Sequence, residues 1–390
     1  MFFMLVSILV VITMSKIIRN LPLNMNGISL RVMDDELKVL RDDLDMFVSD
    51  VKYMNTLKFS KSVLFSHEIQ ANNFIEGYKD DVETIYEVIH RCSNISNEEK
   101  KKRILNLYRG YKYILKRNDI DKDNLKELYN ILSKDLLSSY DLSNMGEYYR
   151  NNPVYIYYST RMDIPPDEGI KPELIDNYMN SLLEYISNDN NNLSKADLFI
   201  KSQIIHFYFV YIHPYFDING RTSRTTSMWY LLNNQSYPFI IFNRAIQLYK
   251  TEYYKVIRDA KKYSNVTFFL KYMMDHTREE LEKDYIINII KDNCNCDMST
   301  VDYQSLHYIL SMKGLKTYVD FAQFYNSQNE KKKVYDIYND MLYPLIDKKI
   351  IIPTKPTNKS VGGIGNNYNF ELNKSLYEVD NNKIKKIYIR

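Results

Sequence analysis

The stretch Tyr211-Ile212-His213-Pro214-Tyr215-Phe216-Asp217-Ile218-Asn219-Gly220-Arg221-Thr222-Ser223-Arg224 gathers a histidine, a carboxylate, an amide and two arginines. Apolar runs with helical patterning flank it, Ala196–Ile212 before and Thr225–Leu232 after. The polar cluster therefore reads as a tight loop that opens the first turn of a helix. Arginines are misplaced for stability there, because the helix dipole already puts about +0.5 charge at that end. Arg221 and Arg224 are three apart and share one face. Together these facts point to an anion at the helix N-terminus, where unsatisfied N–H groups already favour phosphate. Asp217 then reads as a hard oxygen ligand for Mg²⁺, and His213 as a proton acceptor. Each residue alone has an ordinary reading, since His-Pro ends helices and Asn-Gly makes turns. Their conjunction between two apolar helices is what points to chemistry.

Working outward, the chain has 390 residues, enough for two or three domains, and 45% of them are hydrophobic, enough for a sizeable core. With Lys+Arg 52 against Asp+Glu 49, bulk charge implies no polyanionic partner. Cys92, Cys294 and Cys296 cannot build a disulfide framework. Cys294-Asn295-Cys296 is too tight for a zinc half-site and has no second pair, so no metal is expected there. Tyrosine is abundant at 36, but compositional bias explains it better than a base-stacking surface. Residues 2–14 are apolar and uncharged, yet shorter than the roughly 20 residues of a membrane span. Lys16 and Arg19 follow this run rather than precede it, unlike a signal peptide. Two readings stay open: a start placed upstream of Met14, or a weak membrane anchor. A cytoplasmic protein without a membrane partner is expected, membrane-associated if residues 2–14 are a genuine anchor.

Helical spacing runs through Met33–Val51, Phe59–Glu76, Asp81–His90, Glu98–Lys116 and Asp123–Leu137, with Gly77 a fitting C-cap and Asp121 or Asp123 an N-cap. The texture changes at 146–156, where β-branched and aromatic residues surround Asn151-Asn152-Pro153, a hairpin signal closed off by Pro165-Pro166. Pro172 starts a helix over 173–187, and Asn188–Asn192 is a loop. Further helices fit Arg244–Lys262 and Thr267–Lys283. Beyond about residue 290, short helices over 303–313, 317–326 and 330–347 are followed by Ile350–Ile352, a Gly-rich turn at 361–365 and a strand over 368–372. Three helices and a hairpin are the pattern of a winged helix-turn-helix. Residues 301–390 hold 14 Lys/Arg against 9 Asp/Glu, a mildly basic balance. The 330–347 helix has Lys331, Lys332 and Lys333 at its start but no Arg or Asn/Gln ladder to read bases. DNA, a protein partner and a second copy of the chain remain alternatives for this part.

The quoted stretch resembles the Fic motif of the Fic/Doc superfamily, His-x-Phe-x-Asp/Glu-Gly-Asn-Gly-Arg-x-x-Arg. It departs at two positions, Tyr215 for Phe and Ile218 for the first Gly. The resemblance implies a mainly α protein: a Fic-type helical domain with a β-hairpin flap, followed by the winged helix. The expected divisions are 1–14 (apolar stretch), 15–100 (helical region with an inhibitory helix), 101–285 (catalytic domain) and 295–390 (winged helix). It implies a protein adenylyltransferase that moves AMP from ATP to a Ser, Thr or Tyr hydroxyl of a target protein, with Mg²⁺. His213 would be the general base and Asp217 the Mg²⁺ ligand. Asn219, Gly220 and the backbone through Arg221 would cradle the α-phosphate, Arg221 would contact the β-phosphate and Arg224 the γ-phosphate. Gly220, where the phosphorylating Doc branch has Lys, favours AMP transfer. Tyr149, Arg150, Val154 and Ile156 resemble the flap whose edge pairs with the target backbone. Asn72-x-x-x-Glu76-Gly77 resembles the inhibitory motif Ser/Thr-x-x-x-Glu-Gly, which implies that Glu76 pairs with Arg224 and blocks the γ-phosphate. Tyr253 and Tyr254 are candidates for the adenine pocket, with core packing the expected role of at least one, and His206 reads as a packed core histidine. Ile218 puts activity in question, because a β-branched residue at φ > 0 costs about 1–2 kcal/mol. Two alternatives follow: a catalytically weak nucleotide-sensing regulator acting through the winged helix, or a de-AMPylase.

Overall fold

The computed structural model describes residues 32–50, 61–91, 95–157, 165–188, 192–312, 317–354 and 369–377. The apolar stretch 2–14 and the Gly-rich turn 361–365 lie outside them. In chain order the elements are α1 (Asp34–Asp50), α2 (Lys61–Ile75), α3 (Val82–His90), α4 (Glu98–Ile114), α5 (Lys122–Ser133) and α6 (Ser139–Ser143). Strands β1 (Tyr155–Ile156) and β2 (Asp167–Glu168) follow, then α7 (Pro172–Ser187), α8 (Lys195–Ile212), α9 (Asn219–Asn233), α10 (Phe242–Leu248), α11 (Lys250–Tyr263) and α12 (Thr267–Asn293). The chain continues with α13 (Thr300–Ser311), α14 (Tyr318–Gln328), α15 (Val334–Ile337), a π-helical turn (Tyr338–Leu342), α16 (Tyr343–Asp347), β3 (Ile351–Pro353) and β4 (Phe370–Leu372). The protein is mainly helical, as expected. Among the described residues no helix is long and apolar enough to cross a membrane.

The chain divides into two compact units that do not follow chain order. The first is Met1–Asn55 with Ser93–Arg278; the second is Thr56–Cys92 with Glu279–Arg390. In the first, α8 and α9 form the central pair. α8 is apolar nearly all round and is buried from Ala196 to Val210, as such helices are. Its start is fixed by a capping box, Ser194 Oγ accepting from Asp197 N at 3.0 Å while Asp197 accepts from Ser194 N at 3.2 Å. α1 covers α8 with Leu37, Leu44 and Val48. It is pinned where Arg278 lies over the Phe47 ring at 3.6 Å and meets Asp43 at 3.1 Å.

Two expectations change here. The helix read over 244–262 breaks at Tyr249 (φ −119°, ψ 34°) into α10 and α11. The Tyr249 ring stacks on His276 at 3.8 Å and its carbonyl accepts from the Tyr272 hydroxyl at 3.2 Å, contacts that fix the break. The hairpin is also placed differently. Asn151-Asn152-Pro153 is not its turn; β1 pairs with β2, Tyr155 opposite Glu168 and Ile156 opposite Asp167. A separate tight turn closes at Met145↔Arg150, with Gly146 N donating to Tyr149 O at 2.7 Å. A Cβ on Gly146 would lie 2.9 Å from that carbonyl, so glycine is what lets the turn close.

In the second unit, α2 and α3 pack together and α3 packs on α13. α2 ends as the sequence expects, with Gly77 at φ +98° donating to Phe74 O at 2.9 Å. Buried amides tie α2 to the C-terminal helices. Gln70 Nε2 donates to Asn329 Oδ1 at 2.5 Å, and Asn329 Nδ2 and Gln304 Nε2 both donate to the Tyr308 hydroxyl at 3.0 Å. Tyr325 donates to Asp81 Oδ1 at 2.6 Å. The segment read as part of an N-terminal region thus packs with the C-terminal one. The expected three helices and hairpin are there: α13, α14 and α15–α16, then β3 antiparallel to β4, with an added bridge Thr317↔Asn369. The third helix is interrupted by the π-turn just before Pro344, whose missing N–H removes a helical bond.

Candidate active site

α8 ends on His213. Its backbone is left-handed (φ 53°, ψ 61°) while its amide still donates to Phe209 O at 3.0 Å. Pro214 cannot continue the helix, so the imidazole sits at a sharp exit from a rigid helix. Its Nδ1 lies 3.3 Å from Val210 O. Donation there assigns the proton to Nδ1 and leaves the lone pair on Nε2, the state a general base needs.

The loop beyond is closed by Asn219. Its Oδ1 accepts from Tyr215 N at 2.9 Å and its Nδ2 donates to Tyr215 O at 2.8 Å. Asn219 therefore staples the loop with both ends of its amide. The Tyr215 ring is fully buried and stacks on Tyr129 at 3.7 Å, which accommodates tyrosine where the motif has phenylalanine. Asp217 is exposed, and its Oδ1 accepts from Ile218 N at 2.6 Å.

Ile218 is left-handed (φ 64°, ψ 11°) and is the N-cap residue of α9. The strain of a β-branched residue there, about 1–2 kcal/mol, is opposed by burial of its side chain to 3% exposure, worth about 1.5–3 kcal/mol. Burial wins, and the loop keeps the left-handed turn with isoleucine in it. Ile218 also offers no side-chain acceptor to the first turn of α9, so the N–H groups there lack the usual cap.

α9 is polar yet buried. Thr222, Thr225 and Thr226 turn their hydroxyls back to Ile218 O, Arg221 O and Thr222 O, each at 2.8 Å. Ser227 crosses to Ser202 O on α8 at 2.8 Å. These bonds satisfy the hydroxyls and leave the arginines as the helix's charged contribution. Arg221 is 7% exposed, and its Nε has no hydrogen-bond partner. Arg224 is buried beside His206. Burial, and secondarily the Arg224 charge, pushes the His206 pKa down to about 3. The ring is neutral and bonded through Nε2 to the Tyr253 hydroxyl at 2.7 Å. Tyr253 is thus a core residue, and Tyr254 beside it is half-buried.

Arg150 fastens the flap to the loop. It is 2% exposed; Nε donates to His213 O at 2.8 Å, Nη1 to Asn152 O at 2.7 Å and Nη2 to Ile170 O at 2.5 Å. Its amide donates to Pro214 O at 2.9 Å. A Cβ on Gly169 would lie 2.8 Å from Val154 Cγ2 and 2.9 Å from Nη2, so a larger residue there would push on the clamp. Tyr149, Val154 and Ile156 are buried as well, while Tyr155 and Tyr157 are exposed.

Residues 119–231 match the model of the Fic/DOC family. This segment is a Fic/DOC family domain. The fold is similar to that of a Fic family protein from Desulfovibrio desulfuricans G20, at 17% identity and a TM-score of 0.54, over 89% of this chain and 98% of that one. It is also similar to Fic-1 (aa134–508) from C. elegans, at 16% identity and a TM-score of 0.50, over 66% and 74% of the two chains.

The Fic domain brings together His213, Asp217, Asn219, Gly220, Arg221 and Arg224 around one helix N-terminus, with the flap fastened beside them. Glu76 follows α2 and lies in the second unit. Among the described residues no three His, Cys, Asp or Glu side chains converge as a metal site. Asp217 is an exposed carboxylate, a hard oxygen donor that fits Mg²⁺. Sequence reasoning missed Arg150 as a clamp on the Fic loop. Its signal was faint, an arginine between two turns, because its acceptors are backbone carbonyls far along the chain.

Proposed function

We propose that the Fic domain transfers AMP from ATP to a Ser, Thr or Tyr hydroxyl of a target protein. The observation that carries this reading is Arg221. A buried guanidinium with an unpartnered Nε sits in the first turn of a helix that has no capping side chain. Such a group is costly unless an anion completes it. The acceptor oxygen attacks the α-phosphorus, and its proton passes to Nε2 of His213. The bond from the α-phosphorus to the oxygen bridging the β-phosphate breaks, and pyrophosphate leaves. Arg221 and Arg224 hold the β- and γ-phosphates, and Asn219 with Gly220 keeps the α9 N–H groups aimed at the α-phosphate. Asp217 would hold Mg²⁺ in this reading, and the ion would supply charge neutralisation.

The resemblance of Asn72–Gly77 to the inhibitory motif makes Glu76 the residue whose removal would release this activity. The target's backbone adds to the flap edge at Tyr155–Ile156, with Tyr155 and Tyr157 as its side-chain contacts. Incubating a Glu76→Gly variant with each nucleotide and measuring intact mass tests this. An AMP adduct from ATP that vanishes when His213→Ala is added supports the reading; no adduct from any nucleotide sinks it.

The C-terminal elements support a winged helix: a helix, a single-residue bridge at Thr317, two helices, then a hairpin. The third helix exposes Tyr335, Asp336, Asp340, Tyr343 and Asp347 and carries no Lys or Arg between Val334 and Asp347. Three exposed carboxylates repel phosphate, which favours a protein partner or a second copy of the chain over DNA. A gel shift on duplex DNA at low salt would contradict this.

A further inference from the structure

Cys294 and Cys296 are disulfide-bonded across Asn295, with Cα atoms 5.3 Å apart. We propose that this pair is a reversible dithiol–disulfide site, which exchanges with low-molecular-weight thiols and disulfides while the fold stays intact.

Four observations carry this. First, the bond is purely local. Asn295 is left-handed (φ 48°), a conformation that asparagine tolerates. That single residue brings the two sulfurs together without help from distant elements. Second, the bond staples nothing. Chain-entropy stabilisation by a disulfide grows with the logarithm of the loop it closes, and a sequence separation of 2 is close to the minimum. The C-terminal core holds without it, because Ile286, Leu306, Phe321 and Leu345 are buried to 2% or less.

Third, the sulfurs are within reach of a reagent. Both cysteines are half-buried at the rim of that core, and Asp292, Asn293, Asn295 and Asp297 around them are exposed. Fourth, Cys294 is held by the end of α12, its amide donating to Ile290 O at 2.9 Å, so the helix keeps it close to Cys296 when the bond opens.

The chemistry balances with a monothiol as reductant. Its thiolate attacks one sulfur, giving a mixed disulfide and releasing the other cysteine as a thiolate that takes a proton. A second monothiol attacks the mixed disulfide. The net products are two cysteine thiols and one oxidised low-molecular-weight disulfide, and the reverse oxidises the pair with that disulfide as acceptor.

The test equilibrates the full native chain in glutathione buffers from fully reducing to fully oxidising, traps thiols with iodoacetamide and maps the labels by peptide mass. The expected result is loss of labels from Cys294 and Cys296 together, in a single two-electron step, with full recovery on return to reducing buffer. Circular dichroism should be unchanged throughout. In Cys294→Ser, Cys296 should instead take a single glutathione adduct. Three results would overturn the proposal: both cysteines labelled in the most oxidising buffer, both unlabelled in reducing buffer until the protein is denatured, or loss of fold on reduction.

Discussion

Two clusters of buried polar side chains behave in opposite ways. In the second unit, Gln70, Gln304, Tyr308 and Asn329 partner one another across three helices. In the Fic domain, the hydroxyls of α9 are equally buried and bonded, but Arg221 keeps an unpartnered Nε at a helix N-terminus without a side-chain cap. The first cluster closes on itself and reads as structure. The second is closed except at Arg221, the end at which the proposed function places the phosphates. What singles out Arg221 among buried polar groups is the conjunction of charge, an unpartnered Nε and a place in the first turn of an uncapped helix.

The comparison can be broken most severely at His213. In the Glu76→Gly background, His213→Ala should reduce AMP transfer by about 10²–10⁴-fold, the worth of a general base, measured with labelled ATP. Arg221→Ala should cost about 10²–10³-fold, as loss of one electrostatic donor does. If it leaves nucleotide affinity and transfer unchanged, the open end of the cluster is not a ligand site. On the other side, Asn329→Ala removes one partner each from Gln70 and Tyr308 and should destabilise the second unit by about 1–2 kcal/mol in urea unfolding, with the transfer chemistry intact.

A pH effect follows from His206. Its folded pKa lies near 3 against an ordinary 6.5. The unfolded chain therefore binds the extra proton first as pH falls, and stability drops by about 1.4 kcal/mol per unit below pH 6.5. His206→Gln should flatten that slope relative to the unaltered protein, read from denaturation at pH 7.5 and 5.5. The smallest effect is expected at Ile218→Gly. Relief of about 1–2 kcal/mol of strain is outweighed by lost burial and added chain entropy. A net destabilisation of about 1 kcal/mol should appear as a small fall in Tm.

Much of this was legible in the sequence, for reasons that differ by residue. Helices with one apolar face announce themselves by period, and α8 by being apolar all round. His213, Asp217 and the two arginines were legible because their chemistry is carried by residue type and spacing. The staple by Asn219 and the clamp by Arg150 were not, because each bonds to backbone groups that only the folded loop presents. The break at Tyr249 was hidden for the same reason, since its cause is a ring stack on His276. Ile218 was legible as a departure from the motif, but the burial that outweighs its strain belongs to the tertiary structure.

The division of the chain has a consequence for how the protein is made. Residues 61–91 leave the ribosome ahead of the entire Fic domain, while Gln304 to Asn329, which they bond to, leave after it. At about 5–20 residues per second that interval is on the order of 10–50 s. Throughout it, α2 and α3 are held without the partners that bury Gln70 and Asp81. A chain stopped after Arg278 keeps that exposed face permanently and becomes a substrate for chaperones or aggregation, however well its Fic domain has folded.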